Sequence, residues 1–245
     1  MKIAVIGGTG RIGSRIVEAL TTAGHDATPH ARSTGVDLLT GEGLAPAPAG
    51  ADAVVDATQS PTADDASADF FRTATGNLLT AAEHAGVRHA VLLSIVGVDR
   101  VPGLGYYRAK VVQEELFATG PVPYSLVRAT QFFEYIEDIM SWTTEGDTIR
   151  LPTTLLQPVA AADVAQAVAG IATGTPLHGI REVAGPDVLP LDELGRITLA
   201  ATRDNSRTVL TDDAAGPFAL ASGDALTATQ GAHVALTDYR SRLAG

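Results

Sequence analysis

The chain has 245 residues, of which 45% are hydrophobic and 18% charged, and it carries a formal net charge of -11 at pH 7. That length and apolar content can bury a large core, which argues against extensive disorder. The acidic balance, with 17 scattered Lys and Arg, opposes direct nucleic-acid binding. There is no cysteine, so disulfides, thiolate metal sites and a cysteine nucleophile are excluded.

Residues 3–6 are an apolar run that breaks into Gly7-Gly8-Thr9-Gly10-Arg11-Ile12-Gly13. Ile12, Ile16, Ala19, Leu20 and Ala23 then recur at helical spacing until Gly24 supplies a stop. The order is strand, phosphate loop, helix. Gly8, Gly10 and Gly13 fit G-x-G-x-x-G, where bare backbone lets the chain turn tightly and a pyrophosphate approach the helix N-terminus. A dinucleotide is therefore the first ligand expected, and the strand and helix context disfavours a purely architectural glycine turn.

Residues 27–32 read as a second strand, with Pro29 suited to a strand end or edge, and residues 36–39 as a short third strand. Residues 40–50, rich in Gly, Ala and Pro, read as a loop, and residues 53–57 as a fourth strand ending at Ala57. A polar loop over 59–65 precedes a helix marked by Phe70, Ala74, Leu78, Ala81 and Ala82 that ends near Gly86. A fifth strand is expected over 89–95, a helix over 106–119 and a sixth strand over 124–128.

This alternation predicts an α/β fold, a doubly wound parallel Rossmann sheet. Beyond Arg128 the pattern predicts a helix over 132–142, a strand over 148–151, an alanine-rich helix over 163–172, a strand over 180–184 and a helix over 191–201. Residues 205–245 read as loops with one short terminal helix from about Thr237, open to a role as a lid or dimer contact. The expected organisation is a dinucleotide-binding core over 1–128, completed by about 158–185. Residues 129–157 and 186–245 would form a small, discontinuous substrate-side region.

The second strand ends His30-Ala31-Arg32-Ser33 and has no carboxylate to bind ribose hydroxyls. Arg32 offers a fork for a phosphate, Ser33 a hydroxyl, and Arg11 an approach from the other side, so NADP(H) is expected over NAD(H). Asp37 is placed either on the adenine or as a turn carboxylate. Gly7, Thr9, Ile12 and Ala57 complete the expected cofactor wall.

These residues, with Leu93-Ser94-Ile95-Val96-Gly97, Tyr106-Tyr107-Arg108-Ala109-Lys110, Arg128-Ala129-Thr130-Gln131-Phe132-Phe133 and Val183-Ala184-Gly185-Pro186, resemble the NmrA-like, atypical short-chain dehydrogenase/reductases. The resemblance runs to about Ala201. Tyr106 and Lys110 match the superfamily's Y-x-x-x-K pair, and four residues apart they share a helix face, where an ammonium would favour the ionised phenol. Lys110 is also expected on the nicotinamide ribose. Ser94, at a strand end, is similar to the serine that orients a substrate carbonyl. Tyr107, three residues before Lys110, is the other candidate proton donor.

The resemblance implies hydride transfer from NADPH to a small apolar carbonyl or quinone, with Phe132, Phe133, Tyr135 and Trp142 lining the substrate pocket. Two alternatives stand beside it: a noncatalytic dinucleotide sensor acting through protein partners, and an NADP-dependent isomerase or epimerase. The six histidines show no metal-ligand spacing, so no metal is expected. The first strand begins directly after Met1 and no apolar run reaches membrane-spanning length, which predicts a cytoplasmic protein without a membrane partner.

Overall fold

The computed structural model describes residues 1–64 and 66–244; Asp65, at the end of the loop expected over 59–65, and Gly245 lie outside the described residues. β1 (Lys2–Ile6) buries four of its five residues, as a strand covered on both faces must, and leads through the glycine loop into α1 (Gly13–Thr22). β2 (Asp26–His30), β3 (Ala53–Asp56), α2 (Ser67–His84), β4 (His89–Ile95), α3 (Gly105–Thr119) and β5 (Tyr124–Ala129) continue the alternation. Then come α4 (Ile136–Ser141), β6 (Thr144–Glu145), β7 (Thr148–Leu151), β8 (Leu155–Leu156), α5 (Ala161–Ala172) and β9 (Ile180–Ala184). β10 (Leu189–Pro190), α6 (Leu191–Thr202), β11 (Thr208–Thr211), β12 (His233–Val234) and α7 (Tyr239–Ala244) complete the order.

Seven strands form one parallel sheet in the order β12-β9-β5-β4-β3-β1-β2, the doubly wound Rossmann arrangement. The period of two along β1 sorts its side chains. Ile3 and Val5 join Ile16 and Leu20 of α1 and Val164 and Val168 of α5 on one face, while Ala4 and Ile6 join Leu78 of α2 and Phe117 of α3 on the other. A third apolar cluster, including Ile136, Met140, Ile149, Leu194, Phe218 and Tyr239, holds the segments after β5 together. No described helix is long and apolar enough to cross a membrane.

Four local expectations are corrected. Residues 36–39 are not a strand: Val36 and Leu38 are buried, but the Asp37 carboxylate accepts hydrogen bonds from the N–H groups of Leu39 and Thr40 and folds the segment into turns. β2 consequently becomes the sheet edge, where Pro29 removes no ladder bond that a further strand would need. It stops at His30, and Arg32 opens a 3-10 turn capped by Thr34. The single helix expected over 132–142 is split, because Phe132 bridges to Val159 before a 3-10 turn over Phe133–Tyr135 leads into α4. Residues 205–244 contain β11 and β12, too short for alternation to register, and β12 lies against β9 as the far edge of the main sheet.

A buried ion cluster fixes α3 against the sheet. From β5, Arg128 donates to both Glu114 oxygens at 2.9 and 2.7 Å and to Asp99 at 2.9 Å. Removing one member leaves a buried charge uncompensated, whereas removing the pair does not. Arg128→Met should therefore lower the unfolding free energy by about 3–5 kcal/mol, and Arg128→Met with Glu114→Leu by clearly less, as read by urea denaturation.

Candidate functional site

A cleft of about 600 Å³ crosses the C-terminal ends of β1 to β5, where open α/β sheets hold ligands. Its floor is the glycine loop. Gly7 has φ +75, and a Cβ there would sit 2.8 Å from the Ala57 carbonyl oxygen; a Cβ on Gly13 would lie 2.1 Å from the Gly7 carbonyl oxygen. Gly8 instead faces the sheet edge, where a Cβ would stand 2.7 Å from the Pro29 Cα, and it does not line the cleft. Gly7, Gly10 and Gly13 thus line the floor, while Gly8 is kept bare by the close approach of β2. Among the described residues, the backbone N–H groups of Thr9, Arg11 and Ile12 donate no hydrogen bond, so the loop fits an anion at the start of α1.

Arg32 lines the cleft beside β2, its side chain 64% exposed and paired with Asp37 at 3.3 Å. Asp37 lies outside the cleft as a turn carboxylate, held below its usual pKa by the Thr40 and Leu39 N–H groups and by Arg32. Ser33 also lies outside the lining and contacts the Thr9 hydroxyl at 3.1 Å, tying the end of β2 to the loop. Arg11 does line the cleft but is not aimed toward Arg32. It donates to Asp138 at 2.8 Å and to the Glu134 carbonyl at 2.9 Å, and it lies over the Tyr135 ring at 4.5 Å. The expected second phosphate contact is therefore replaced by a clasp between the loop and α4.

Ala57 marks the middle of the cleft, past β3. At its other end Ser94, 3% exposed at the end of β4, presents a hydroxyl without a partner among the described residues. Lys110, 2% exposed, donates to the Leu93 carbonyl at 2.9 Å and to Gln113, which in turn donates to Asp56 at 3.0 Å. Burial lowers the Lys110 pKa to about 8, with Asp56 and Glu114 opposing the shift. No hydrogen bond among the described residues joins Lys110 to Tyr106 or Tyr107.

The expected activation of a phenol by Lys110 is accordingly not formed. Burial pushes Tyr106 well above the usual phenol range, reinforced by Tyr135 and Asp56, so its hydroxyl is neutral. Burial also raises Tyr107, to about 12, and its ring belongs to the third apolar cluster. Both tyrosines line the cleft with Lys110 because α3 directs one face toward β4.

Phe132, Tyr135 and Trp142 line the apolar wall, but Phe133 does not. Successive residues of the 3-10 turn point in different directions, and Phe133 is buried against the Tyr239 ring at 5.0 Å. Trp142, 57% exposed, stacks near Phe218 at 6.0 Å on the rim. Phe218, Thr58 and Gln131 line the cleft without having been singled out from sequence. Gln131 stood inside a recognised motif, whereas nothing in residues 205–245 marked Phe218. No group of three or more His, Asp or Glu among the described residues is arranged to hold a metal.

The fold and cleft define a Rossmann-type dinucleotide-binding protein. The sequence matches the NAD(P)H-binding family over residues 7–174, and the chain belongs to that family, which fits its NmrA-like, atypical short-chain dehydrogenase/reductase motifs. No curated protein matches by sequence. Among solved structures, the NADPH-dependent quinone oxidoreductase of Escherichia coli, complexed with NADPH, is similar at a TM-score of 0.70 and 17% identity, over 99% of this chain and 98% of that one. UDP-glucose 4-epimerase of Thermus thermophilus, complexed with NAD, gives 0.69 and 18% over 86% of each chain. UDP-N-acetylglucosamine 4-epimerase of Bacillus cereus gives 0.70 and 18% over 100% and 96%. The likeness is one of fold.

Lys110 gives the site a pH signature. Its pKa is near 8 in the folded chain and near 10.5 when unfolded, so between these values the unfolded chain binds more protons and stability rises with pH. Urea denaturation from pH 7.5 to 9.5 should show that rise in the wild type and a flatter profile in Lys110→Met.

Proposed function

We propose that this protein is an NADPH-dependent reductase of a small apolar carbonyl or quinone. The observation that carries the reading is the cleft lining, which combines the Ser94 hydroxyl, unpartnered among the described residues, and the neutral Tyr106 phenol with the apolar side chains of Phe132, Tyr135, Ile139 and Trp142. An apolar wall with a few convergent polar groups suits a flat acceptor that presents one oxygen. The likeness to a quinone oxidoreductase over nearly the full length supports the same class.

Reduction of a carbonyl adds a hydride to carbon and a proton to oxygen. The hydride is the chemistry NADPH supplies when bound. Ser94 would donate to the acceptor oxygen and polarise it, a bond that relieves the cost of its own burial, about 1–3 kcal/mol. Tyr106 holds its proton at neutral pH, and an alkoxide is basic enough to take it; solvent then returns the proton. Lys110 has an ammonium proton beyond those given to Leu93 and Gln113, available to a ribose hydroxyl. The aromatic wall excludes water from the reacting carbon.

Arg32 is the phosphate-selecting group in this reading. It is exposed and lines the cleft, and its ion pair with Asp37 engages Nε alone, at 3.3 Å, so the terminal guanidinium nitrogens can turn to a 2′-phosphate. The second reading, a noncatalytic sensor of the dinucleotide, is favoured by one observation: Lys110 is hydrogen-bonded to Leu93 and Gln113 rather than to a tyrosine.

Acceptor-dependent loss of NADPH absorbance separates the two readings. Quinones, aldehydes and ketones should include at least one substrate, and Tyr106→Phe should slow its reduction by about 10²–10⁴-fold. NADPH binding without turnover on any acceptor would favour the sensor. Arg32→Ala should weaken NADPH binding by about tenfold to a hundredfold while leaving NADH binding nearly unchanged, as measured by titration calorimetry.

A further inference from the structure

Gln131 stands two residues beyond the paired part of β5 and lines the cleft, 7% exposed, with neither its Nε2 nor its Oε1 partnered among the described residues. Such a group is uncommon, because a buried carboxamide with both ends unsatisfied is costly. The backbone around it is pinned. Thr130 N–H donates to the Val183 carbonyl at 3.0 Å, the Gln131 carbonyl accepts from Val159 N–H at 2.9 Å, and the Thr130 hydroxyl donates to the Gln157 carbonyl. The Tyr107 hydroxyl lies near the carboxamide, but neither amide atom forms a hydrogen bond with it.

The position of Gln131 along the cleft limits what it meets. A dinucleotide whose pyrophosphate rests on the loop after β1 extends one half past β2, toward Arg32, and the other past β3, β4 and β5. With the phosphate-bearing adenosine half beside Arg32, the nicotinamide half lies on the Gln131 side. The complement of a carboxamide that offers one donor edge and one acceptor edge is another primary carboxamide, which closes a pair of N–H···O bonds. The nicotinamide ring carries such a group.

We infer that Gln131 binds the nicotinamide carboxamide and thereby sets which ring face is turned to the acceptor. The inference rests on dinucleotide binding in this cleft and not on the identity of the acceptor. It makes Gln131 a cofactor-reading residue, while Ser94 and Tyr106 are left to the substrate oxygen.

The test compares NADP⁺ with its 3-acetylpyridine analogue, in which a methyl group replaces the amide nitrogen, by titration calorimetry on the full chain. The wild type should bind NADP⁺ more tightly by about tenfold or more. Gln131→Leu and Gln131→Met should bring the ratio close to one with little change in melting temperature, and Tyr107→Phe should keep the wild-type ratio. Equal affinities in the wild type, or a preference that survives in both Gln131 variants, would overturn the assignment. Loss of the preference in Tyr107→Phe would also overturn it, by making Gln131 a partner of the phenol. Failure of either nucleotide to bind the wild type would refute the dinucleotide cleft itself, an outcome distinct from binding without discrimination.

Discussion

The distance between Gly13 and Gly7 governs the molecule. A single methyl group on Gly13 would fall 2.1 Å from the Gly7 carbonyl oxygen, so the chain can pass from β1 into α1 only with bare backbone at the crossing. That crossing brings the first turn of α1 down onto the sheet and turns the N–H groups of Thr9, Arg11 and Ile12 away from internal partners. A phosphate-sized anion suits the space, and the rest of the cleft runs outward from it on both sides. β2 and Arg32 define one direction; β3, β4 and β5 define the other.

The second direction depends on α3, which is held by charge rather than by apolar fit alone. Arg128 and Glu114 anchor the helix to β5, and Gln113 links Lys110 to Asp56 at the end of β3. These bonds place Tyr106, Tyr107 and Lys110 in one wall, but they also commit the lysine. Its ammonium donates to Leu93 and Gln113 and to neither phenol, and the phenols keep their protons by burial. The result is a cleft end where two neutral phenols and the Lys110 ammonium share the lining with aromatic side chains.

The sequence made legible what rests on long periodic patterns and steric necessity. The first strand, the glycine loop, the alternating sheet and Pro29 at an edge all followed from local rules. Residues 36–39 misled because alternating burial of Val36 and Leu38 looks the same in a turn as in a strand, and the deciding event is a side-chain bond from Asp37. Phe132 and Phe133 were indistinguishable as adjacent aromatics; a 3-10 turn sends one to the cleft and the other to Tyr239. Arg11 was assigned by its place in the loop, whereas its direction is set by Asp138, over a hundred positions away in the chain. Phe218 gave no signal, since its position depends on how the last quarter of the chain wraps around α4 and β7.

The most direct test of this account is a crystal structure of the chain with NADPH. It should show the pyrophosphate on the N–H groups of Thr9, Arg11 and Ile12, the adenosine phosphate at Arg32 and the nicotinamide ring beside Ser94 and Lys110. A nicotinamide lying on the Arg32 side, or a nucleotide bound outside the cleft, would contradict it.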